Sequence, residues 1–348
     1  MLLNKNYQQT FKNMTILVTG GTGSFGQHFI TTILKKYSPK KVIVFSRDEL
    51  KQFEMQNKFS NFKNFHKLRF FIGDIRDKDR LSFAINNEID LIVHAAALKQ
   101  VPTAEFNPFE VVKTNIIGSQ NVIDCALRSN VSKVIALSTD KAAGPINLYG
   151  ATKLTSDKLF VSANNYKGWK KIKFSVVRYG NVLGSRGSVI PFFIDKSKQK
   201  ILPITDNEMT RFNITLDQGV KFVIKCFSLM WGGEIFIPKI PSYRILDVAK
   251  AISPKSSIKI IGIRPGEKIH EEMITTSDGL RTIEFKDYFV IIPSSPKWKL
   301  DDYLKKSNSY QGKWCEKNFQ YTSSKNKTFL TVKQIQNLIK KNILKKND

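Results

Sequence analysis

Six short apolar runs punctuate the first half of the chain: Thr15 to Thr19, Lys41 to Phe45, Leu68 to Ile72, Leu91 to His94, Val134 to Leu137 and Ser175 to Val177. Short, largely apolar runs of this length predict strands buried on both faces, as at the centre of a parallel sheet. The stretches between them carry helical spacing, Gln27 to Lys36 being the first. Strand and helix alternating in this way predict an α/β fold built on a doubly wound parallel sheet.

Past Tyr179 the rhythm breaks. Gly184 to Gly187 is turn-rich, and Ser188 to Phe193 leads into a Lys-rich helix. Pro203 to Asn207 and Met209 to Phe212 read as loop and short strand. Leu216 to Phe227 reads as a helix returning to the first domain, whereas Gly233 to Pro238 and Ile261 to Lys268 are assigned to a smaller lobe. The predicted organisation is a nucleotide-binding domain over residues 1–180, with 209–232 returning to it. A mainly substrate-binding carboxy-terminal lobe over 181–293 and an extension over 294–348 complete the chain. Near the end, Thr331 and Gln334 form a capping-box pair ahead of an apolar stripe, Val332, Ile335, Leu338, Ile339 and Ile343. The stripe predicts core or subunit packing; the flanking Lys340, Lys341, Lys345 and Lys346 keep an interfacial helix as the alternative.

The polar residues that interrupt this pattern cluster where strands end. Gly20, Gly23 and Gly26, with Thr22, Ser24 and Phe25 among them, follow the first strand and open a helix. Such a loop lets backbone approach a pyrophosphate at a helix amino terminus, so the sheet reads as a Rossmann dinucleotide fold. Ser46 and Arg47 end the second strand, where a carboxylate would grip a free ribose hydroxyl. A hydroxyl and a guanidinium there suit a 2′-phosphate and favour NADP, with Asp48, Glu49 and Lys51 close by. Asp74, beside Ile75, is placed to meet the adenine amino group. Ala95, Ala96 and Ala97 would let the cofactor lie against the backbone, and Lys99 follows. Asn115 is either a structural polar group or an orienter of Lys153 through water.

The fifth run delivers the chemistry. Ser138, Thr139, Asp140 and Lys141 stand where it ends, and after a Gly144-Pro145 turn Tyr149 and Lys153 lie four apart on one helix face. As turn formers alone the first four would be unremarked. With the Tyr-x-x-x-Lys pair they read as a site that oxidises a secondary alcohol: Tyr149 takes the hydroxyl proton, Lys153 stabilises its anion, and Ser138 or Thr139 steadies the substrate.

Composition narrows the alternatives. The chain has 348 residues, 41% of them hydrophobic, which suffices for a large core. It has no run of about 18 apolar residues and an opening too weakly apolar for a signal peptide, so a cytoplasmic protein is expected. Cys125, Cys226 and Cys315 are scattered and His28, His66, His94 and His270 lack ligand spacing, so no disulfide framework and no metal are predicted. The net charge of +27 is spread along the chain among abundant Asn and Ile. It reads as compositional bias rather than a specific nucleic-acid surface; a non-catalytic basic nucleotide-binding module is the rival from outside enzymology.

TGGTGSFG at 19–26, FSRDE at 45–49, HAAALKQVP at 94–102, STDKA at 138–142, YGATK at 149–153, RYGNVLGSRGSVIPFF at 178–193, MTRF at 209–212 and IRPGEKIHE at 263–271 together resemble the inverting UDP-N-acetylglucosamine 4,6-dehydratases of the extended short-chain dehydrogenase/reductase family. The resemblance implies a homo-oligomer, dimer or hexamer, that acts on UDP-N-acetylglucosamine with a tightly held NADP, in the first step towards pseudaminic acid or a related surface sugar. By the same resemblance Thr139, Asp140, Lys141, Tyr149 and Lys153 are the catalytic set. Lys99, Thr139, Asn181, Ser188, Val189, Arg211, Arg264 and Glu267 are the candidate substrate contacts, the basic ones clamping a diphosphate. Lys141 would remove the C5 proton and Asp140 protonate the leaving C6 hydroxyl, which requires Lys141 to be neutral for part of the cycle; the competing reading of the pair is a structural Lys141–Asp140 ion pair. Crowding by Lys153 and desolvation are expected to lower its pKa. The Asp140-Lys141 pair weighs against a simple UDP-hexose 4- or 5-epimerase, the nearest rival.

Overall fold

A computed structural model describes residues 7, 9–86, 88–185, 187–308 and 312–343. The six apolar runs form strands β1 (Thr15–Thr19), β2 (Lys41–Ser46), β3 (Leu68–Ile72), β4 (Leu91–His94), β5 (Lys133–Thr139) and β6 (Lys173–Tyr179). They lie parallel in the spatial order β3-β2-β1-β4-β5-β6, which reverses direction between β1 and β4. In such sheets the crevice beyond the strand carboxyl ends at the reversal is where ligands bind. β1 is buried at all five positions and β2 at five of its six, because helices cover both faces.

The second half builds short pieces: β7 (Asn181–Val182), β8 (Ile201–Ile204), β9 (Thr210–Ile214), β10 (Ile235–Pro238), β11 (Ser242–Arg244), β12 (Ser257–Ile260), β13 (Glu272–Ile274), β14 (Thr282–Glu284), β15 (Tyr288–Ile291), β16 (Lys313–Trp314) and β17 (Tyr321–Thr322). Here the structure corrects one assignment. The Gly233 to Pro238 segment is not in the smaller lobe: β10 pairs in parallel with β6, and β15, β14 and β16 then extend the same sheet antiparallel to ten strands. All four residues of β10 are buried, the signature of a central strand. Helix Leu216–Leu229 makes the crossover that brings the chain back, and packs against helix Ser24–Lys36.

Among the described residues two large apolar cores result, beside a small cluster of Ala104, Val111 and Tyr149. One surrounds the large sheet; the other joins Leu183, Ile190, Phe193, Leu202, Met209 and Val248 in the lobe. The terminal helix Val332–Asn342 closes this second core with Ile335 and Ile339, both buried, while Thr331 and Gln334 cap it reciprocally. Lys345 and Lys346 lie outside the described residues. Among the described residues no helix is long and apolar enough to cross a membrane.

Candidate active site

A cleft of 1140 Å³ runs along the carboxyl ends of the parallel strands and under the lobe. Every candidate residue named from the sequence lines it except Glu49, Asn115 and Asp140. Glu49 is exposed in the first turn of helix Glu49–Phe59, where a carboxylate complements the helix dipole. Asp140 has no exposed surface at all; it lies one layer beneath the cleft wall.

The dinucleotide end is built from backbone. Gly20 ends β1 at φ +66°, and a Cβ on it would stand 2.8 Å from the Ala96 nitrogen, so only glycine lets the ends of β1 and β4 converge there. A Cβ on Gly26 would lie 2.5 Å from the Gly21 carbonyl, so the helix can begin directly under the loop. Its first-turn amides, Ser24 to Gly26, have no intrahelical acceptor by position and line the cleft. These features fit a pyrophosphate. Beneath them the buried His94 ring holds Thr19 Oγ1 at 2.8 Å and Ser119 at 3.3 Å. Burial and the nearby Lys153 lower its pKa to about 3, so it is neutral.

At the end of β2 the Ser46 hydroxyl bonds Thr22 Oγ1 at 2.8 Å. Arg47 is half-exposed, 3.6 Å from Asp74, and Asp48 caps the next helix by accepting from the Lys51 amide at 3.0 Å. Asp74 also takes two bonds from the Arg76 guanidinium and one from its amide. Asn115 is structural in this geometry: its amide spans Leu98 on both sides and donates to Thr152 at 3.0 Å, tying the loop after β4 to helix Leu148–Tyr166.

The reacting end is built from buried charge. β5 continues through Ser138 and Thr139, and a single 3-10 turn, Asp140–Ala142, redirects the chain. Thr139 Oγ1 donates to Asp140 Oδ1 at 2.9 Å, and Lys141 Nζ reaches Asp140 Oδ1 at 3.1 Å, Asn181 Oδ1 at 3.3 Å and Glu271 Oε1 at 3.0 Å. Asp140 Oδ2 and Glu271 Oε2 are buried with no hydrogen-bond partner. Burial alone would lower the Lys141 pKa, but Asp140 and Glu271 raise it well above the ordinary lysine value. The expected lowering by Lys153 is therefore corrected: Lys141 is a held ammonium because the carboxyl groups of Asp140 and Glu271 flank it. Burial raises Asp140 towards its neutral form, and for Glu271 burial is outweighed by Lys141 and Arg211, which hold it ionised.

Tyr149 is pushed up to about 12 by burial, with Lys141 and a hydrogen bond with Thr139 pulling the other way. Lys141 is thus a cation that favours the phenolate in this state. Lys153 is itself lowered by burial, while Asp157, four residues on, raises it. Asp157 accepts from Ser138 Oγ at 2.7 Å and pairs with Arg178 at 3.2 Å, a buried network that fixes the strand end from below. Of the substrate candidates, Arg211 turns inward to the Thr210 and Ile269 carbonyls and to Glu271 at 3.6 Å, Glu267 accepts from Thr205, and Arg264 sits on an exposed loop. The sequence reading did not single out Glu271, which the fold brings within 3.0 Å of Lys141; its place at the end of the IRPGEKIHE motif was the available signal.

A glycine-rich strand-to-helix turn at one end of the cleft, and Thr139, Tyr149 and Lys153 gathered at the other, define a protein of the extended short-chain dehydrogenase/reductase class. The chain belongs to the polysaccharide biosynthesis protein family, which it matches over residues 16–293. It is 53% identical over 332 residues to the UDP-N-acetylglucosamine 4,6-dehydratase (inverting) of Campylobacter jejuni, covering 94% of this chain and 98% of that one. It is 41% identical over 289 residues to a Rickettsia conorii protein named UDP-glucose 4-epimerase, covering 81% and 83%. Among solved structures, Pen from Bacillus thuringiensis superposes with a TM-score of 0.85 at 37% identity, covering 95% of this chain and 98% of that one.

Proposed function

We propose that the protein is an NADP-dependent UDP-N-acetylglucosamine 4,6-dehydratase that inverts C5. The observation that carries this is the acid and ammonium pair, Asp140 and Lys141, hydrogen-bonded at the foot of the cleft beside Tyr149. An epimerase that only oxidises and re-reduces C4 has no use for a second acid and base; elimination of water across C5 and C6 needs both.

A dinucleotide held at the glycine turn would supply the hydride chemistry, taking hydride from C4 and giving it to C6, with a proton reaching C5 from the face opposite to the one that lost it. The chain's own groups do the rest. Tyr149, steadied by Thr139 and acting as its phenolate, takes the C4 hydroxyl proton, which leaves a 4-keto sugar with an acidified C5–H. Lys141 removes that proton. Asp140, raised towards its neutral form by burial, supplies the proton that leaves with the C6 hydroxyl; being buried, it delivers it through the Thr139 hydroxyl, which donates to Asp140 at rest and turns to accept from it in this step. Lys153 and Ser138 hold the ribose side of the site, and Ser46, Arg47 and Lys51 would receive a 2′-phosphate. The amino-terminal residues of helix Val189–Lys196 and the Arg264 loop face the diphosphate. The active species is a homo-oligomer, and the product feeds surface-glycan synthesis.

Incubation with UDP-N-acetylglucosamine and NADP⁺ in deuterated water tests this by NMR and mass spectrometry. The expected product has lost one water, carries a C6 methyl group, and has deuterium at C5 in the inverted configuration. A product of unchanged mass apart from deuterium, altered only at C4, would instead make the chain an epimerase, the reading its Rickettsia relatives favour.

A further inference from the structure

Lys141 is held as an ammonium, yet removing the C5 proton takes a free amine. Some neighbour must accept its proton without losing it to solvent. Asp140 is poorly suited, since it already accepts from Thr139 and is the acid of the same step. Glu271 is the better placed acceptor, although Lys141 and Arg211 hold it ionised at rest. Its Oε1 lies 3.0 Å from Lys141 Nζ, and its Oε2 is buried and unpartnered. Its backbone is locked, the amide donating to Ser323 Oγ and the carbonyl accepting from the Ser323 amide, both at 2.8 Å. The residue is 2% exposed. The charged groups that face it are Lys141 and Asp140 from the turn after β5, Arg211 from β9 at 3.6 Å, and Lys268 from its own segment, with Tyr243 of β11 facing Lys141 and Arg211.

We propose that Glu271 is a positioning residue for water elimination that acts through Lys141, taking the ammonium proton onto its carboxylate so that Lys141 meets C5–H as a free amine. The proposal rests on the dehydratase reading above. The protons balance. Lys141 Nζ–H gives its proton to Glu271 Oε1, and the freed lone pair then takes the proton from C5. The C5–H electron pair forms the C5–C6 double bond, and the C6–O pair departs with the Asp140 proton as water. The trio now holds a neutral Glu271, a charged Lys141 and an ionised Asp140. Because Lys141 contacts both carboxylates, at 3.0 and 3.1 Å, it hands a proton to Asp140 while recovering one from Glu271, and the site resets.

The test compares Glu271→Gln with the wild type as purified full-length chains, using UDP-N-acetylglucosamine and NADP⁺ and following kcat and KM between pH 6 and 9. Glutamine keeps the shape and an oxygen for Lys141 but cannot take its proton. KM is expected within about threefold of wild type, and kcat near neutrality about 100-fold lower. The residual kcat should climb by up to about tenfold per pH unit, because the amine must now form by proton loss to water; the wild type stays nearly flat. Glu271→Asp should recover part of kcat and the flat profile. A Gln variant within about threefold of wild-type kcat, or one reduced with a flat profile, overturns the proposal. If the Gln chain does not fold, Glu271→Asp decides: a larger C5 deuterium isotope effect on kcat supports the relay, and an unchanged kcat and isotope effect overturn it. Failure of the dehydratase reading shows separately, as a wild type that releases no water.

Discussion

The two ends of the cleft are built by opposite means. The dinucleotide end is made of absences: glycine where a Cβ would strike Ala96 or Gly21, a row of small alanines, and a buried His94 kept neutral between two hydroxyls. The reacting end is made of charge taken out of water: Asp140, Lys141, Glu271 and Arg211, with two carboxylate oxygens unpartnered. A shape made by omission binds whatever ligand fits it and need not change during a reaction. A buried charge cluster with spare acceptors is costly to assemble and is sensitive to where each proton sits, which suits it to moving protons. The Asp157–Arg178 pair just below is the control within the molecule: also buried, also ionic, but bonded on to Ser138, Met273 and Asp278 rather than opening on the cleft.

If this contrast is sound, damage to each end should have a distinct signature. The largest effect is expected from Lys141→Met, which should lower water elimination by about 10³-fold or more while leaving dinucleotide affinity within about twofold, measured by product NMR and by titration calorimetry. Loss of dinucleotide binding in that variant would erase the distinction between the two ends. Gly20→Ala should do the reverse. Its left-handed φ and the 2.8 Å approach to Ala96 are expected to cost about 2 kcal/mol of stability and more than tenfold in dinucleotide affinity, seen in denaturant melts and titration. Arg47→Ala is milder, expected to weaken NADP by about tenfold and NAD hardly at all; equal losses for both would remove the 2′-phosphate assignment.

The smallest effect concerns pH. His94 has a folded pKa of about 3, below the unfolded value, so its contribution to stability is full above about pH 6.5 and is lost as pH falls towards 3. Denaturant melts should show His94→Gln removing a slope of at most about 1.4 kcal/mol per pH unit across that window, with little change in activity at pH 8. A slope that survives the substitution would mean that acid sensitivity arises in the charged cluster instead.

Much of this was legible before any fold was known, and the reason is locality. The six parallel strands, the glycine turn and the Tyr149-Lys153 spacing depend on residues within a turn or a strand of one another, so a pattern read along the chain captures them. Two things were not. A four-residue apolar run such as Ile235–Pro238 declares that it is buried but not in which sheet, and only the crossover by helix Leu216–Leu229 brought it beside β6. The charge state of Lys141 was the second. Its neighbour in sequence, Asp140, was visible, but Glu271 and Arg211 reach it from distant segments, and the depth at which Asp140 is buried belongs to the whole packed molecule. The sequence by itself determined the scaffold, the dinucleotide cradle and which side chains stand at the strand ends. The tertiary structure alone decided which of them carry protons, because a pKa answers to desolvation and to charges near in space, neither of which spacing along the chain records.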